Sequence, residues 1–435
     1  MDFTVEATPQ MQADNRYVSV PFYVPSGTTS IGVKVDFDPH LGVIDLGCEG
    51  PSTWRGWSGG ARSEFMIGVD EATPGYVPGP IEPGEWKVIL GLHLLRAPKV
   101  TIHVQVSMPS DVPLPVATAA PSPVAALETP RGSARNLPAP DGLTWFAGDF
   151  HSHTVHSDGS QTVEQVAALG AELGLDFLAI TDHNTVSAHR YLEDVGREYG
   201  ITLIPGQEVT SHRGHANAFG YIDWIDFRKP AAQWVDQVHR SGGLISINHP
   251  IDADCSWLDP LPVPPDAIEL WHSSWYRALD DDGIFAWLAR GDRGIPIIGG
   301  SDFHVPGGAH RPGTPTTWVA AEENTVDSLL AAMKAGRTSI SGYVSIKDKE
   351  TGEPVDLRTA TESTVVITPE VLGCPVLLRN EPGELLVLNA QGLTLTDFFG
   401  DRRIIGSAAA RLPAPAERGP YALMLPDRKV MALSL

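Results

Sequence analysis

Apolar and polar residues alternate with a period of two along much of the first 108 residues, and this pattern predicts β-strands. In residues 100–106, VTIHVQV, the valines and the isoleucine fall on one face, where a sheet can bury them. Similar runs occupy residues 17–24, 30–37 and 86–92 and are separated by Gly, Pro and Asp. We therefore predict a β-rich, sandwich-like domain over residues 1–108.

Proline interrupts this pattern between residues 109 and 140, where eight prolines occur in 32 positions. Proline at this density favours extended polyproline II structure, and the segment shows neither a helical nor a strand period. We predict a Pro-rich linker over residues 109–140, or a strap along the surface.

Predicted strands and helices alternate between residues 141 and 345. The strands cover residues 145–150, 177–181, 202–205, 244–247, 267–271, 295–298 and 317–320. Thr162 and Gln165 form a capping-box pattern at the start of the first helix. Further helices are predicted at residues 193–198, 234–238, 284–288 and 325–333. Repeated strand–helix units predict an α/β fold whose parallel sheet is closed, or nearly closed, into a barrel.

Strand-like runs return in the last part of the chain, and we predict a second β-rich region over residues 346–435. The runs cover residues 363–368, 376–379, 384–387 and 429–433.

The composition fits a protein with packed cores, since 42% of the 435 residues are hydrophobic and 19% are charged. The 31 Lys and Arg against 53 Asp and Glu give a net charge of −22, which disfavours long nucleic acids and anionic membranes as partners. Three widely spaced cysteines predict no disulfide framework. No secretory signal pattern and no apolar run of roughly 18 residues is visible, so we expect a soluble, cytoplasmic protein.

Histidine is concentrated in the predicted barrel, because 12 of the 15 histidines lie between His151 and His310. Histidines and acidic residues follow the predicted strands in DFHSHTVHSDG (149–159), TDHN (181–184), GQE (206–208), SHRGHANAFG (211–220), NHP (248–250) and SDFH (301–304). The carboxyl ends of barrel strands converge on one rim, where such folds keep their active sites.

This rim carries the ligand types of a metal centre. Imidazoles and carboxylates without a thiolate suit Zn²⁺, Mn²⁺ or Fe²⁺. A carboxylate such as Glu208 can bridge two ions about 3.5–4 Å apart, a spacing at which a shared hydroxide becomes a nucleophile. Each motif alone is weak evidence, but unpaired burial of so many ionisable groups is costly, so the ordered set favours metal binding.

The motif order HxH…SDG, TDHN, GxE, GHxN, NHP and GSDxH resembles the PHP (polymerase and histidinol phosphatase) metallohydrolases, particularly their carbaryl-hydrolase-like CehA/McbA branch. The resemblance covers about residues 149–342 and neither flanking β-region. It implies a distorted (β/α)7 PHP barrel flanked by N- and C-terminal β-rich regions. It also implies two or three divalent metal ions, Mn²⁺, Zn²⁺ or Fe²⁺.

The resemblance further implies which residues hold each ion. The ligands of the first ion would be His151, His153, Glu208 and Asp302. Those of the second would be Glu208, His215 and His249. Those of the third would be Asp158, His183 and His304. At Trp271-His272-Ser273 relatives often have an Asn, which leaves substrate contacts and the role of His272 open.

Three residues near these motifs are candidates for substrate contacts. His156 could bind substrate or donate a proton, and an exposed loop imidazole is an equal alternative. Arg213 and Arg311 could clamp a phosphate, since a guanidinium offers paired donors to an oxyanion, and a surface salt bridge is the alternative.

These residues support the hypothesis of a metal-dependent hydrolase, a phosphoesterase acting on a small or medium phosphorylated substrate through a metal-bridging hydroxide oriented by Glu208 and Asp302. One alternative is a carbamate or ester hydrolase of the same fold. Another is a metal-stabilised binding protein without catalysis, and a third is a nuclease on short oligonucleotides. The expected partner is a small anionic substrate, and the oligomeric state is left open.

Overall fold

The structure is a computed structural model that describes residues 1–251, 255–261, 263–276, 294–307, 310–342, 344–352, 355 and 364–435. The predicted helix at residues 284–288 lies outside these residues. No helix in the described part of the chain is long and apolar enough to cross a membrane.

The first hundred residues form two four-stranded antiparallel sheets that face each other, which we call the sandwich. The sheet orders are β1-β8-β3-β6 and β2-β7-β4-β5. The elements are β1 (Asp2–Ala7), α1 (Pro9–Asp14), β2 (Tyr17–Val24), β3 (Ser30–Asp36), β4 (Gly42–Glu49), β5 (Trp54–Gly59), β6 (Glu64–Gly68), β7 (Gly84–Leu95) and β8 (Val100–Ser107). Val33 and Val104 of one sheet and Val88 and Leu90 of the other are fully buried in one core, as strand alternation requires.

The Pro-rich segment contains a short helix, α2 (Val124–Glu128), although its sequence shows no helical period. Ala126 of this helix is fully buried in a core shared with Ala167 and Leu192. Its apolar residues therefore overcome the local preference of the surrounding prolines for extended backbone.

The central region alternates strands and helices as predicted. The elements are β9 (Thr144–Asp149), α3 (Val163–Glu172), β10 (Phe177–Ile180), α4 (His189–Tyr199), β11 (Thr202–Ser211), β12 (Gly214–Phe219), α5 (Ala231–Arg240), β13 (Leu244–Ile247), β14 (Ala267–His272), α6 (Ser273–Tyr276), β15 (Ile297–Gly300), β16 (Thr316–Ala321), α7 (Val326–Lys334) and β17 (Thr338–Ser341). The predicted capping box of Thr162 and Gln165 is present at the start of α3.

The central sheet is mixed rather than all parallel. Parallel pairing joins β9–β10–β11 and β13–β14–β15, but β12 lies antiparallel between β11 and β13, and β16 lies antiparallel to β9. A short turn joins β11 to β12, and such a connection allows only antiparallel pairing. Thr317 Oγ1 lies 2.8 Å from Gly299 N and 3.0 Å from Gly299 O, so β15 and β16 meet. The (β/α)7 description stays a prediction.

The last region is β-rich and extends the central sheet at its far edge. Its strands are β18 (Val344–Asp348), β19 (Val365–Pro369), β20 (Val376–Glu381), β21 (Glu384–Leu388), β22 (Thr394–Thr396), β23 (Arg402–Ile404), β24 (Ala409–Pro413), β25 (Tyr421–Met424) and β26 (Val430–Ser434). Strand β26 pairs antiparallel with β17, and β25 and β22 follow in the same sheet.

The sandwich is docked firmly on the central region. Trp57 of β5 shares an apolar core with Val209 and Phe227, and the ring of Trp54 stacks on Trp224 with centroids 4.3 Å apart. Apolar contacts of this kind hold two domains in one arrangement. The sandwich therefore contributes a fixed surface next to the carboxyl ends of the central strands.

Candidate metal centre

Most of the predicted ligands lie in loops that follow the central strands, whereas Glu208 lies within β11 and His215 lies at the start of β12. His249 and Asp302 have left-handed backbones, with φ of 26° and 50°. Such conformations are unfavourable for residues other than glycine and tend to occur at functional sites. His183, in the loop after β10, forms an isolated parallel bridge with Glu208 of β11.

The first predicted ligand set converges in the structure. One ligand atom from each of His151, His153, Glu208 and Asp302 lies within 4.8 Å of the others. His151 Nε2 is 3.3 Å from Glu208 Oε1 and 3.2 Å from Asp302 Oδ1. His153 Nε2 is 2.9 Å from Asp302 Oδ1. These four side chains can hold one ion.

The residues of the second predicted set fall into two different ligand groups in the structure. His215 Nδ1 and His249 Nε2 lie 3.2 and 3.3 Å from Glu208 Oε1, so all three predicted residues are adjacent. The compact group around Glu208 and His215, however, includes His183, whose Nδ1 is 2.7 Å from Glu208 Oε2. His249 converges with His272 and Asp302 instead.

The third set contains every predicted residue and one more. His304 Nε2 is 3.2 Å and His183 Nε2 is 3.7 Å from Asp158 Oδ1. His153 completes this group of possible ligands. His153 therefore lies between two groups, and its ring stacks on His304 with centroids 4.2 Å apart.

Some of the donor atoms hydrogen-bond one another, but two of them fit a metal ion better than a hydrogen bond. His151 Nε2 and Glu208 Oε2 are buried and make no hydrogen bond among the described residues, although opposite partners lie within ion-pair distance. Buried polar atoms are normally hydrogen-bonded, so atoms that converge without that geometry are expected at an ion site. The donor set, imidazole and carboxylate, suits divalent zinc, manganese or iron.

The charges of the site are strongly coupled. Burial raises the pKa of Glu208, but the imidazoles of His183 and His151 outweigh it and hold the pKa well below its usual value. The pKa of Asp302 is lowered in the same way, chiefly by His151 against the effect of burial. Burial lowers the pKa of His153 to about 4, with help from the neighbouring His304. Ionised carboxylates and a neutral imidazole are the forms that bind metals.

A family model confirms the resemblance at the level of the domain: the model of the PHP domain matches residues 149–351. The chain contains a PHP domain. The match ends close to the boundaries that the motifs predicted and leaves the sandwich outside.

Relatives align with parts of the PHP domain. The chain is 36% identical over 64 residues to phosphoribosyl 1,2-cyclic phosphate 1,2-diphosphodiesterase of Eggerthella lenta, which is 15% of this chain and 24% of that protein. It is 40% identical over 109 residues to the 5'-3' exoribonuclease Rnm of Salmonella typhimurium, which is 22% of this chain and 36% of that protein. The chain thus spans about a quarter and about a third of these relatives.

Two solved structures show limited similarity to this chain. A two-domain protein of Bacteroides vulgatus, containing a predicted PHP-like metal-dependent phosphoesterase, is 19% identical with a TM-score of 0.37 over 68% of this chain and 88% of that chain. A putative metal-dependent phosphoesterase of Bifidobacterium adolescentis is 18% identical with a TM-score of 0.31 over 38% of this chain and 90% of that chain.

Glu269 was not predicted from the sequence, although it contacts two of the candidate ligands, His151 and His249. Glu269 is 1% exposed on β14, its Oε1 is 3.0 Å from His151 Nδ1, and its Oε2 accepts a hydrogen bond from the backbone N–H of His249 at 2.9 Å. A carboxylate on the far nitrogen of a ligand imidazole fixes the ring and raises its basicity. A lone Glu in the apolar run AIELW was the available signal.

His272, undecided from sequence, is also in the site. Its side chain is buried, and its Nε2 lies 3.3 Å from Asp302 Oδ2. It can form ligand groups with His249 and Asp302 or with His151 and Glu269. Of the Trp271-His272-Ser273 segment, His272 therefore faces the metal groups, whereas Trp271 is buried in an apolar core.

The structure places the three predicted substrate contacts away from these ligand groups. His156 is 8% exposed, so the alternative of an exposed imidazole is wrong; its Nδ1 lies 2.8 Å from Ser187 Oγ, and burial lowers its pKa. Arg213 forms an ion pair with Asp259, the surface salt bridge that was its alternative. Arg311 is exposed, and its backbone hydrogen-bonds Thr314. Their roles stay predictions that these contacts do not favour.

A cavity of about 500 Å³ opens beside the third ligand group. Asp158, His183 and His215 line it on the PHP side. Its opposite side is formed by the sandwich, including Arg16 and Asp45. The volume is in the range of small-molecule sites.

Proposed function

We propose that this protein is a metal-dependent phosphoesterase that hydrolyses a small or medium phosphorylated substrate. One observation carries the proposal: the buried carboxylate of Glu208 lies within 3.3 Å of four imidazoles. These belong to His151, His183, His215 and His249. A carboxylate surrounded in this way is suited to bridging ions in a shared cluster.

Two or three divalent ions, Mn²⁺, Zn²⁺ or Fe²⁺, are proposed as cofactors, with the predicted ligands completed by His153, Asp158, Asp302 and His304. When bound, they would lower the pKa of water to supply a nucleophile and neutralise charge on the phosphoryl oxygens. Their charge also lets an acidic protein accept an anionic substrate, because the local potential in the cleft differs from the net charge of −22.

The two carboxylates of the first set have different tasks in this proposal. Glu208 is fully buried, whereas the side chain of Asp302 is 25% exposed. Glu208 would therefore hold its neighbouring imidazoles in place, and Asp302, which its lowered pKa keeps ionised, would accept a hydrogen bond from an incoming water and orient it. Glu269 keeps the ring of His151 in place during the reaction.

The names of the relatives support phosphate esters as substrates, since a diphosphodiesterase and an exoribonuclease both cleave them. We also propose, from the motif order, that the PHP domain belongs to the CehA/McbA-like branch.

Purified protein loaded with Mn²⁺, Zn²⁺ or Fe²⁺ should be tested on nitrophenyl phosphate, bis(nitrophenyl) phosphate and a naphthyl carbamate. We expect release of nitrophenol from at least one phosphate ester. Hydrolysis of the carbamate alone would contradict the phosphoesterase assignment and favour the ester-hydrolase alternative. Fewer than about one tightly bound metal per chain, with no activity after metal addition, would favour a binding protein.

A further inference from the structure

The cavity beside the metal groups has two walls of different origin. One wall belongs to the PHP domain and carries Asp158 and His183. The other belongs to the sandwich and carries Arg16, Tyr17 and Asp45. These three residues come from β2, its preceding residue and β4, so the sandwich places polar side chains opposite the candidate catalytic centre.

The sandwich wall is held in place by contacts with the catalytic loops themselves. Arg62 donates hydrogen bonds to the carbonyl oxygens of Val155 and Ser157, inside the loop that carries His153 and Asp158. Thr185 Oγ1 donates to the carbonyl oxygen of Gly75 at 2.8 Å. A wall fixed to the ligand loops keeps a constant distance from the site, as a specificity surface requires.

Asp45 is the acidic group on this wall. Burial raises its pKa to about 7, against the opposing effects of Arg16 and His183. No hydrogen bond from a described residue contributes to the pKa of its carboxyl group. Because Asp45 lines the cavity, this carboxyl group is available to a ligand that donates hydrogen bonds.

Arg16 adds the complementary hydrogen-bonding character. Its guanidinium donates to the carbonyl oxygens of Leu92 at 3.1 Å and His93 at 2.9 Å, which holds the side chain against the wall. The ring of Tyr17 lies next to it and contacts Phe227 edge-on, with centroids 5.3 Å apart. The wall thus offers an acceptor, a cationic donor and an apolar ring within one cavity.

This combination selects among classes of organic group. Arg16 would repel an ammonium group, and Asp45 would repel a second anion. A purely apolar group would leave Asp45 without a hydrogen bond. Hydroxyl groups donate to a carboxylate and accept from a guanidinium, and the C–H face of a sugar packs on an aromatic ring.

We propose that the sandwich wall is a subsite for the organic part of the substrate, and that Asp45 and Arg16 there bind the hydroxyl groups of a sugar phosphate. This proposal rests on the phosphoesterase function and adds the substrate class. The metal groups hold the phosphate end, and the sandwich sets which alcohol is accepted.

The test compares Asp45→Asn with the wild type on ribose 5-phosphate and nitrophenyl phosphate, using full-length protein loaded with Mn²⁺. Loss of the carboxylate should raise KM for ribose 5-phosphate by about tenfold and leave kcat within about twofold. The values for nitrophenyl phosphate, which has no hydroxyl groups, should change by less than about twofold. Asp36→Asn, an exposed change on β3 outside the cavity, is the matched control and should affect neither substrate.

Each outcome decides a separate point. An equal effect of Asp45→Asn on both esters, or no effect on either, would overturn the subsite. Wild-type hydrolysis of nitrophenyl phosphate without hydrolysis of ribose 5-phosphate would overturn the substrate class alone. A loaded wild type that cleaves no phosphate ester would overturn the proposed function and the subsite with it. Thermal melting and metal content confirm that the variant is folded and loaded.

Discussion

The two walls of the cavity hold their carboxylates in opposite electrostatic states. On the PHP side, the imidazoles of His183 and His304 outweigh the effect of burial and hold the pKa of Asp158 well below its usual range. On the sandwich side, burial raises the pKa of Asp45 to about 7. The carboxylate of the PHP wall is therefore ionised among imidazoles, whereas the carboxylate of the sandwich wall favours its protonated form and is open to a ligand.

The two flanking β-regions show a similar contrast. Both have strands with alternating apolar residues, yet the sandwich lines the cavity while no described residue of the C-terminal region does. The C-terminal strand β26 instead pairs with β17, where Ile340 lies opposite Leu433. The same strand pattern thus serves recognition in one region and completion of a sheet in the other.

The largest expected effect comes from the candidate metal centre. Asp302→Ala removes a candidate ligand of the first ion, so turnover of nitrophenyl phosphate should fall at least about 1,000-fold. Circular dichroism should show an unchanged fold. Glu322→Ala, an exposed acidic residue of the same domain, serves as the control and should retain activity. Near-wild-type turnover of Asp302→Ala would refute the assignment of the site.

A smaller effect, on metal affinity, is expected at Glu269, which contacts the candidate ligand His151. Glu269→Gln weakens the support of His151, and metal affinity should fall about 10- to 100-fold in titrations followed by calorimetry. Asp45→Asn, a carboxylate of the opposite wall, should leave metal affinity unchanged. If both variants lose affinity equally, the division of the cavity into a metal wall and a recognition wall is wrong.

The docking of the sandwich depends on a close backbone approach at Gly75. Gly75 has φ of 98°, and a Cβ there would lie 2.8 Å from the carbonyl oxygens of His156 and Trp57. Gly75→Ala should lower the free energy of unfolding by about 2 kcal/mol in urea titrations. Gly27→Ala is a matched control, because φ is 85° but no atom lies within 4 Å of its Cβ. Equal losses in both variants would show that backbone strain alone, and not docking, is responsible.

Much of the PHP wall could be predicted from sequence because its residues follow the strands in short motifs. His151 and His153 lie two positions apart after β9. Because residues that follow the strands of such a fold gather at the carboxyl ends of the sheet, both could be assigned to the site. The mixed order of the sheet was missed, since strand patterns do not specify direction.

The sandwich wall could not be predicted in this way. Asp45 occupies an ordinary polar position in an alternating strand. Its role arises only because the docked sandwich brings it to the same cavity as His183, which is 138 positions later in the sequence. Glu269 was missed for a related reason, since the motif rules describe strand ends and it lies within β14. Local sequence patterns therefore predict the metal ligands. The residues that hold those ligands, such as Glu269, and the residues of the sandwich wall, such as Asp45, are identified only from tertiary contacts.

The smallest expected effect is a change in the free energy of unfolding with pH. The sign of this change for Asp45 is opposite to the sign for the carboxylates on the PHP side. The pKa of Asp45 is about 7 in the folded state and about 3.9 in an unfolded chain, so folding becomes less favourable as pH rises between these values. Most paired carboxylates behave in the opposite way. Asp45→Asn removes this ionisation, so its stability relative to the wild type should increase by about 1 kcal/mol between pH 5 and pH 8 in urea titrations, after allowance for partial exposure. A difference that does not change with pH would mean that Asp45 is already ionised at pH 5, and that its side of the cavity resembles the PHP side.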